Sequence, residues 1–157
     1  MNKDKLIKAY SEFMQHLHET MEDTLHFGKA LDISKEKVSQ NSDLTDEELN
    51  KVSNNVQRDV EHAAAHQANE ETFGEWLKFE AQLIEDFAID AFLSVADKTR
   101  IQLEEIRQHA MPHKYHSGDI TAPGTFVCEQ CGKHIAFKTL SEIPECPDCH
   151  NTIFVRI

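Results

Sequence analysis

All four cysteines of this 157-residue chain fall into two C-x-x-C pairs, Cys128 with Cys131 and Cys146 with Cys149. Each pair closes a tight loop that directs two sulfurs toward one point, and 14 residues separate the pairs. Four thiolates with this spacing are typical of structural zinc sites. We therefore predict one zinc ion per chain, bound by Cys128, Cys131, Cys146 and Cys149 without a water ligand.

Two other metal chemistries use a related cysteine pattern. Iron in a four-thiolate cage, as in rubredoxin-like electron carriers, is the closest competitor of zinc. Cys146 to His150 also matches C-x-x-C-H, the attachment motif of c-type haem. Haem attachment would leave the first cysteine pair without a role, so zinc is preferred and iron is retained as the second choice.

The residue after each C-x-x-C pair supports the same interpretation. Such a loop favours a residue that tolerates a positive φ angle directly after its second cysteine. Gly132 fits this position in the first loop, and His150 is of a type that tolerates it in the second. Pro147 presets the φ angle of the second loop.

The composition of the chain changes at Pro112, because all four prolines lie from that residue onward. Short β-branched and aromatic runs at 125–127, 135–137 and 152–155 predict strands. We expect a helical bundle or coiled coil over 1–111, a linker over 112–124 and a zinc ribbon over 125–157. The ribbon is too small to fold without metal, whereas the helices are expected to fold without it.

Apolar residues at spacings of three and four in the proline-free part predict amphipathic helices. One such series runs from Leu6 to Val38 and predicts a single first helix of about 35 residues. Thr45 and Glu48 have the spacing of a capping box that opens a second helix. The apolar face of that helix consists of Leu49, Val52, Val56, Val60 and Ala63.

The sequence leaves the arrangement of the later helices open. A third helix capped near Asn69 or Thr72 and one continuous helix from Asp46 to Ala110 both fit the periodicity. Residues 81–96 are apolar on nearly every side of a helix, so a bundle or a second copy of the chain must cover them. We predict a mainly α protein, a long-helix antiparallel bundle or coiled-coil hairpin followed by a small β zinc ribbon, and a homo-oligomer through 81–96.

The charge of the chain limits its partners. The net charge is −12, and residues 1–112 hold 12 basic against 23 acidic residues. Phosphate backbones and anionic membranes are repelled by such a surface, so we expect no specific nucleic-acid binding and no membrane association. The sequence has no secretory signal and no apolar run of membrane-spanning length, which predicts a cytoplasmic protein with reduced thiols.

Histidine patterns do not predict a second site. His62 and His66 share a helix face but lack the glutamate of H-E-x-x-H, which favours an exposed face over a ligand pair. Asp23 with His26, and Asp59 with His62, resemble half of a di-metal bundle site, which needs further inward carboxylates. A polar linker accounts for His109, His113 and His116. No nucleophile elbow, phosphate loop or dinucleotide motif occurs, so we predict no enzymatic activity.

Several short motifs carry a resemblance to a known family. They are Leu44-Thr45, Val56-x-Arg58-Asp59, Asp97-Lys98-Thr99, Tyr115-His116-Ser117-Gly118-Asp119, Gly124, Val127-Cys128-Glu129-x-Cys131 and Cys146-Pro147-x-Cys149. With them the chain resembles the uncharacterised bacterial zinc-ribbon-containing proteins, which pair a helical N-terminal half with a four-cysteine ribbon. His150 departs from the glycine usual at its turn. The resemblance implies a cytoplasmic bacterial protein with a zinc site and implies no activity.

Together these features favour a non-catalytic zinc-binding protein that acts as a protein–protein interaction or adaptor module with an unidentified protein partner. A nucleic-acid or transcription-associated ribbon is the alternative, by analogy of fold alone. Four basic residues in the tail are few for phosphate contacts. A rubredoxin-like iron electron carrier is the remaining alternative.

Overall fold

The helices and strands follow the division between the proline-free part and the cysteine-bearing tail. A computed structural model of the chain describes residues 3–24, 26–65, 89–100 and 114–156. In these ranges the helices are α1 (Lys3–Asp23), α2 (Phe27–Asn41), α3 (Asp46–Ala65) and α4 (Ile89–Arg100). The strands are β1 (Tyr115–His116), β2 (Ile120–Thr121), β3 (Gly124–Cys128), β4 (His134–Phe137), β5 (Ser141–Glu142) and β6 (Ile153–Arg156). This order confirms the predicted fold class, a mainly α part followed by a small β ribbon.

The first predicted helix is in fact two helices. The prediction of one helix of about 35 residues was wrong, because α1 ends at Asp23 and a separate helix, α2, begins at Phe27. The Thr24 hydroxyl accepts a hydrogen bond from the backbone N–H of His26 at 3.3 Å. Nδ1 of His26 in turn accepts one from the N–H of Lys29 at 3.2 Å and caps α2. The break allows α2 to pack against α1 instead of extending it.

Helix α3 begins as the sequence predicts. The backbone N–H of Glu48 donates to the Thr45 hydroxyl at 3.1 Å, and the Glu48 carboxylate accepts from the N–H of Thr45 at 3.0 Å. These two bonds confirm the capping box. The predicted apolar face is also confirmed, because all five of its residues are buried: Leu49, Val52, Val56, Val60 and Ala63.

The described part of the apolar segment 81–96 packs inside the chain. Helix α4 contacts α1 and α3, and its buried apolar residues are Ala91, Phe92, Val95 and Ala96. Residues 81–88 and the possible caps near Asn69 and Thr72 lie outside the described residues, as does His66. A homo-oligomer through 81–96 therefore stays a prediction. In the described ranges, no helix combines the length and apolarity that crossing a membrane requires.

The tail forms two small antiparallel sheets. The first has the strand order β1-β6-β3-β4, and the second pairs β2 with β5. The three predicted strands correspond to β3, β4 and β6, whereas β1, β2 and β5, of two residues each, were not predicted. A small core lies under the first sheet and consists of Tyr115, Phe126, Cys128, Ile143, Cys146 and Phe154.

The stretch expected to be a linker is structured from residue 114 onward. It contains β1, which pairs with β6, and β2, which pairs with β5. Ile120 and Ala122 are fully buried in the core of the helices, together with Leu140. The division at 1–111, 112–124 and 125–157 stays a prediction. Within 114–124, Tyr115 lies in the core of the ribbon, whereas Ile120 and Ala122 lie in the core of the helices.

Candidate metal centre

The structure brings the four cysteine sulfurs together. All four lie within 4.8 Å of one another. The shortest distances join sulfurs of different loops, 3.5 Å from Cys128 to Cys149 and 3.4 Å from Cys131 to Cys146. All four are free thiols, with no disulfide between them. Two loops that are well separated in sequence thus direct their sulfurs at a common centre.

Neighbouring strands position the two loops. Cys128 is the last residue of β3, and β3 pairs with β6, where Cys128 lies opposite Phe154. The second loop enters β6 directly, so the pairing of β3 with β6 sets the two loops side by side. Glu129 N–H donates to the Ile153 carbonyl at 3.1 Å and extends this pairing past the strand end.

Backbone hydrogen bonds shape the first loop. The N–H of Cys128 donates to the Lys133 carbonyl at 2.8 Å, and the N–H of Gly132 donates to the Cys128 carbonyl at 3.0 Å. Gly132 has a φ angle of 78°, in the left-handed region that glycine adopts without strain.

The second loop repeats these bonds at equivalent positions. The N–H of Cys146 donates to the Asn151 carbonyl at 3.0 Å, and the N–H of His150 donates to the Cys146 carbonyl at 2.9 Å. His150 has a φ angle of 62° and stands where the first loop has Gly132. The prediction of a positive φ angle after each second cysteine is therefore confirmed. The two loops are local copies of one turn.

The first cysteine of each loop has a lowered pKa. Burial raises the pKa of the Cys128 thiol, but the backbone N–H groups of Cys131 and Gln130 outweigh it, so the pKa falls to about 6. The backbone N–H of Cys149 likewise lowers the pKa of Cys146. Hydrogen bonds to sulfur favour the thiolate, which is the form that binds metal.

The second cysteine of each loop has a raised pKa. The N–H of Lys133 lowers the pKa of Cys131, but burial and hydrogen bonds with the other thiols raise it to about 12. Cys149 shows the same balance, with the N–H of Asn151 outweighed by burial and by Cys128. Four thiolates at this separation repel one another, so full deprotonation needs a cation at the centre. The donor set therefore fits a divalent metal ion.

The histidine beside the cluster is not part of it. His150 has a side chain that is 78% exposed, and its Nδ1 lies 4.0 Å from the carboxylate of Glu145. In the parts of the chain that the structure describes, the four cysteines are the one group of His, Cys, Asp or Glu side chains close enough to hold a metal. The partial di-metal patterns at Asp23 and Asp59 do not form such a group.

Asp59 accepts hydrogen bonds from three residues that the sequence did not identify as its partners. It is fully buried, and its Oδ2 accepts from the Tyr10 hydroxyl at 2.6 Å and from the N–H of Ala122 at 3.0 Å. Its Oδ1 accepts from Nε of Arg58 at 3.0 Å. Burial and the nearby Asp59 carboxylate raise the pKa of Tyr10 well above its ordinary value. This carboxylate thus ties α1 and α3 to the chain that follows β2.

Arg58 connects α3 to the ribbon. Its Nη1 donates to the Asp119 carboxylate at 3.0 Å, and its Nη2 donates to the Ile120 carbonyl at 3.0 Å. The guanidinium also lies over the ring of Tyr115, 4.1 Å from the ring centroid. Burial lowers the pKa of Arg58, but the negative charge of Asp59 and other neighbouring groups raises it by more than burial lowers it. The side chain therefore stays charged.

Arg156 of β6 completes this contact from the ribbon side. Its Nε donates to the Tyr115 hydroxyl at 3.2 Å, and its Nη1 donates to the Pro123 carbonyl at 2.7 Å. The same hydroxyl lies 2.8 Å from Nδ1 of His62. His62 is therefore half-buried against the ribbon, which corrects the expectation that it lies on an exposed helix face. We call Arg58, Asp59, Tyr115, Asp119 and Arg156 the helix–ribbon junction.

A small antiparallel sheet whose two C-x-x-C loops gather four sulfurs defines a zinc-ribbon protein. The chain belongs to the zinc-ribbon containing domain family, whose model matches residues 11–157. It is similar to the uncharacterized protein YbeL of Escherichia coli strains K12, O6:H1 and O157:H7, with 28% identity over 160 residues. The similarity covers 98% of this chain and 96% of YbeL. No solved structure matches the chain significantly.

The family match confirms the resemblance drawn from the motifs. Four of the motif residues that carry it meet at the helix–ribbon junction, where Arg58 contacts Asp59, Tyr115 and Asp119. The residues of these motifs therefore have a structural role, which is to attach the ribbon to the helices.

Proposed function

We propose that this protein binds one structural zinc ion through Cys128, Cys131, Cys146 and Cys149, and that it is a non-catalytic protein–protein interaction or adaptor protein. The observation that carries the proposal is the closed group of four sulfurs within 4.8 Å. Four thiolates complete the tetrahedral coordination of zinc and leave no position for a reacting water. The metal would cross-link the two loops and neutralise their charge.

The small core of the ribbon supports a folding role for the metal. Six buried residues form this core, and two of them are the cysteines Cys128 and Cys146. A sheet of this size has too little apolar burial to be stable alone, so metal binding would supply much of its folding free energy. Iron suits the same donor set, and its presence is the outcome that the metal analysis below distinguishes.

The exposed tips of the two loops support the interaction role. Residues 129–134 of the first loop are all exposed, as are Pro147, Asp148 and His150 of the second. The helix–ribbon junction attaches the ribbon that carries these tips to the acidic helices. These exposed loop tips are the surface through which we infer that the protein docks with another protein.

The nucleic-acid alternative gains no support from the basic residues of the tail. Arg156 is engaged in the junction, and Nζ of Lys114 lies 3.5 Å from the carboxylate of Glu129. Two of the four basic residues of the tail are thus paired internally, in a chain of net charge −12. The proposal therefore includes no specific nucleic-acid binding, no membrane association and a cytoplasmic setting that keeps the thiols reduced.

Elemental analysis of protein purified without added metal tests the zinc assignment. We expect one zinc per chain and a lower zinc content in a Cys146→Ser variant, which keeps three of the four thiolates. Stoichiometric iron with a red colour would contradict the assignment and favour the rubredoxin-like alternative.

The interaction role needs its own experiment. Immobilised wild-type protein should retain a defined protein from the lysate of its source organism. The Cys146→Ser variant, which lacks an intact ribbon, should retain less of it. Equal retention by both would contradict docking through the ribbon. Light scattering tests the predicted self-association through 81–96, and a strict monomer at high concentration would contradict it.

A further inference from the structure

A polar cleft lies where α3 meets the ribbon. It has a volume of about 710 Å³, within the range of ligand-binding pockets. Its walls come from one face of α3 and from the β1–β2 region, including Lys114 and Asp119. Its basic residues are Lys51, Arg58 and Lys114. Arg58 is paired with Asp59 and Asp119, and Lys114 lies 3.5 Å from Glu129, so Lys51 is the basic residue of the lining without a carboxylate partner in the described ranges. The chain as a whole has 16 basic against 28 acidic residues, so a basic residue without a carboxylate partner is unusual for this surface.

The wall on α3 contains a buried amide group without a partner. Asn55 is 4% exposed, and its Oδ1 accepts a long hydrogen bond from Nη1 of Arg58 at 3.5 Å. Its Nδ2 is shielded from solvent and makes no hydrogen bond. A buried donor left unsatisfied costs about 1–3 kcal/mol. An acceptor group brought in by a ligand, with a small side-chain movement, would recover that free energy.

Lys51 lies one helical turn before Asn55 on the same face of α3. Its ammonium reaches the β1–β2 turn, where a Cβ at Gly118 would stand 3.3 Å from Nζ. Within the described ranges, no carboxylate or carbonyl pairs with this ammonium. Lys51 and Asn55 both line the cleft, and each carries a donor without an acceptor, one cationic and one neutral. The buried Nδ2 of Asn55 becomes reachable with the side-chain movement described above.

The remaining charges of the cleft define the ligand class. Asp119 shares Arg58 with the buried Asp59 and also accepts from the N–H of His116 at 3.1 Å. Glu47 adds a further negative charge to the lining. A doubly charged phosphate would be repelled by Glu47 and by the acidic body, whereas a carboxylate supplies two acceptor oxygens with one charge.

We propose that this cleft is a binding site for a carboxylate group, held by Nζ of Lys51 and Nδ2 of Asn55. The carboxylate can belong to a small free acid or to an acidic side chain of a partner protein. In the second case the site rests on the interaction role proposed above, and in the first case it does not.

Titration of the isotope-labelled, metal-loaded full chain tests the site by NMR. The two probes are succinate and an acetylated, amidated peptide of four glutamates. We expect saturable shifts of the Asn55 side-chain amide signals with at least one probe. Lys51→Gln should weaken that binding about threefold to tenfold, the range for one charge-assisted hydrogen bond in a partly open cleft. Lys37→Gln, which makes the same charge change at an exposed position of α2, should leave it unchanged.

The outcomes are distinguishable. Binding of the peptide alone would assign the carboxylate to a protein partner, and binding of succinate alone would assign it to a small acid. The absence of any shift at Asn55, equal affinity in Lys51→Gln, or tighter binding of inorganic phosphate would overturn the site. None of these three results would affect retention of a partner through the ribbon, so the interaction role would be judged separately.

Discussion

Nη1 of Arg58 in α3 lies 3.0 Å from the carboxylate of Asp119 in the turn between β1 and β2. The two side chains are 4% and 18% exposed, so the pair is largely shielded from water. A buried ion pair is costly to break, because removal of one partner leaves an uncompensated charge. We therefore expect the fold of the ribbon and the stability of the helices to be coupled through this contact.

Metal removal should weaken the helices. Loss of the ribbon fold would take Asp119, the Ile120 carbonyl and the ring of Tyr115 away from Arg58. We expect chelation to lower the thermal midpoint of the helical circular dichroism signal by about 5–10 °C, which corresponds to a few kcal/mol in a chain of this size. An unchanged midpoint would show that the helices fold independently of the ribbon, as the sequence alone suggested.

Tyr10→Phe tests the buried carboxylate that anchors the junction. The change keeps the ring in the core and removes the hydroxyl that donates to Asp59 at 2.6 Å. We expect a loss of about 1–3 kcal/mol in the free energy of unfolding, measured by urea denaturation. The double variant Tyr10→Phe, Asp59→Asn serves as the control, because its effect should differ from the sum of the single effects. Additive effects would contradict a direct bond.

Alkaline titration tests the burial of the two tyrosines. Burial raises the pKa of both Tyr10 and Tyr115 above the ordinary value of 10.0, and these are the two tyrosines of the chain. The unfolded chain loses its tyrosine protons near pH 10, whereas the folded chain keeps them. Stability should therefore be unaffected below about pH 10 and fall above it.

The absorbance of tyrosinate measures this directly. In the folded protein the signal of both tyrosines should appear above their ordinary pKa of 10.0, and that of Tyr10 well above it. After metal removal, Tyr115 should titrate near its ordinary pKa while Tyr10 remains shifted. A tyrosine that titrates normally in the metal-loaded protein would contradict the described junction.

The turn after the second cysteine pair offers a stabilising substitution. His150 has a φ angle of 62°, which costs a side-chain-bearing residue about 1 kcal/mol relative to glycine. His150→Gly should therefore stabilise the ribbon by up to about 1 kcal/mol and slow metal loss to a chelator. Gly132→Ala is the matched control, because a Cβ there meets no atom within 4 Å and only strain opposes it. It should speed metal loss, and a faster loss in His150→Gly would show that the imidazole itself holds the metal.

Local signals in the sequence predicted the parts of the fold that depend on neighbouring residues. The C-x-x-C loops, the positive φ angles and the capping box of Thr45 and Glu48 each involve residues within five positions of one another. The strands around Phe126 and Phe154 were long enough to show β-branched and aromatic enrichment. Strands of two residues, such as β1 and β2, are too short to carry such a pattern.

The helix–ribbon junction could not be predicted because its partners are distant in sequence. Arg58 and Asp119 are 61 residues apart. The sequence did contain one indication of the junction. Asp59 lies three positions after Val56 and directly before Val60, so its carboxylate lies on the apolar face of α3. A charged residue at such a position predicts a buried partner but does not identify it. The start of α2 could not be predicted for a different reason. Its N-cap is His26, whereas Ser, Thr, Asp and Asn are the residues usually found at that position.

X-ray absorption at the zinc edge is the most direct test of the closed four-thiolate site. We predict four sulfur neighbours at about 2.3 Å from a single zinc ion, with no nitrogen or oxygen in the first coordination shell. A nitrogen or oxygen neighbour would mean that a histidine or a water binds the metal, which would contradict the structural, non-catalytic role proposed for Cys128, Cys131, Cys146 and Cys149.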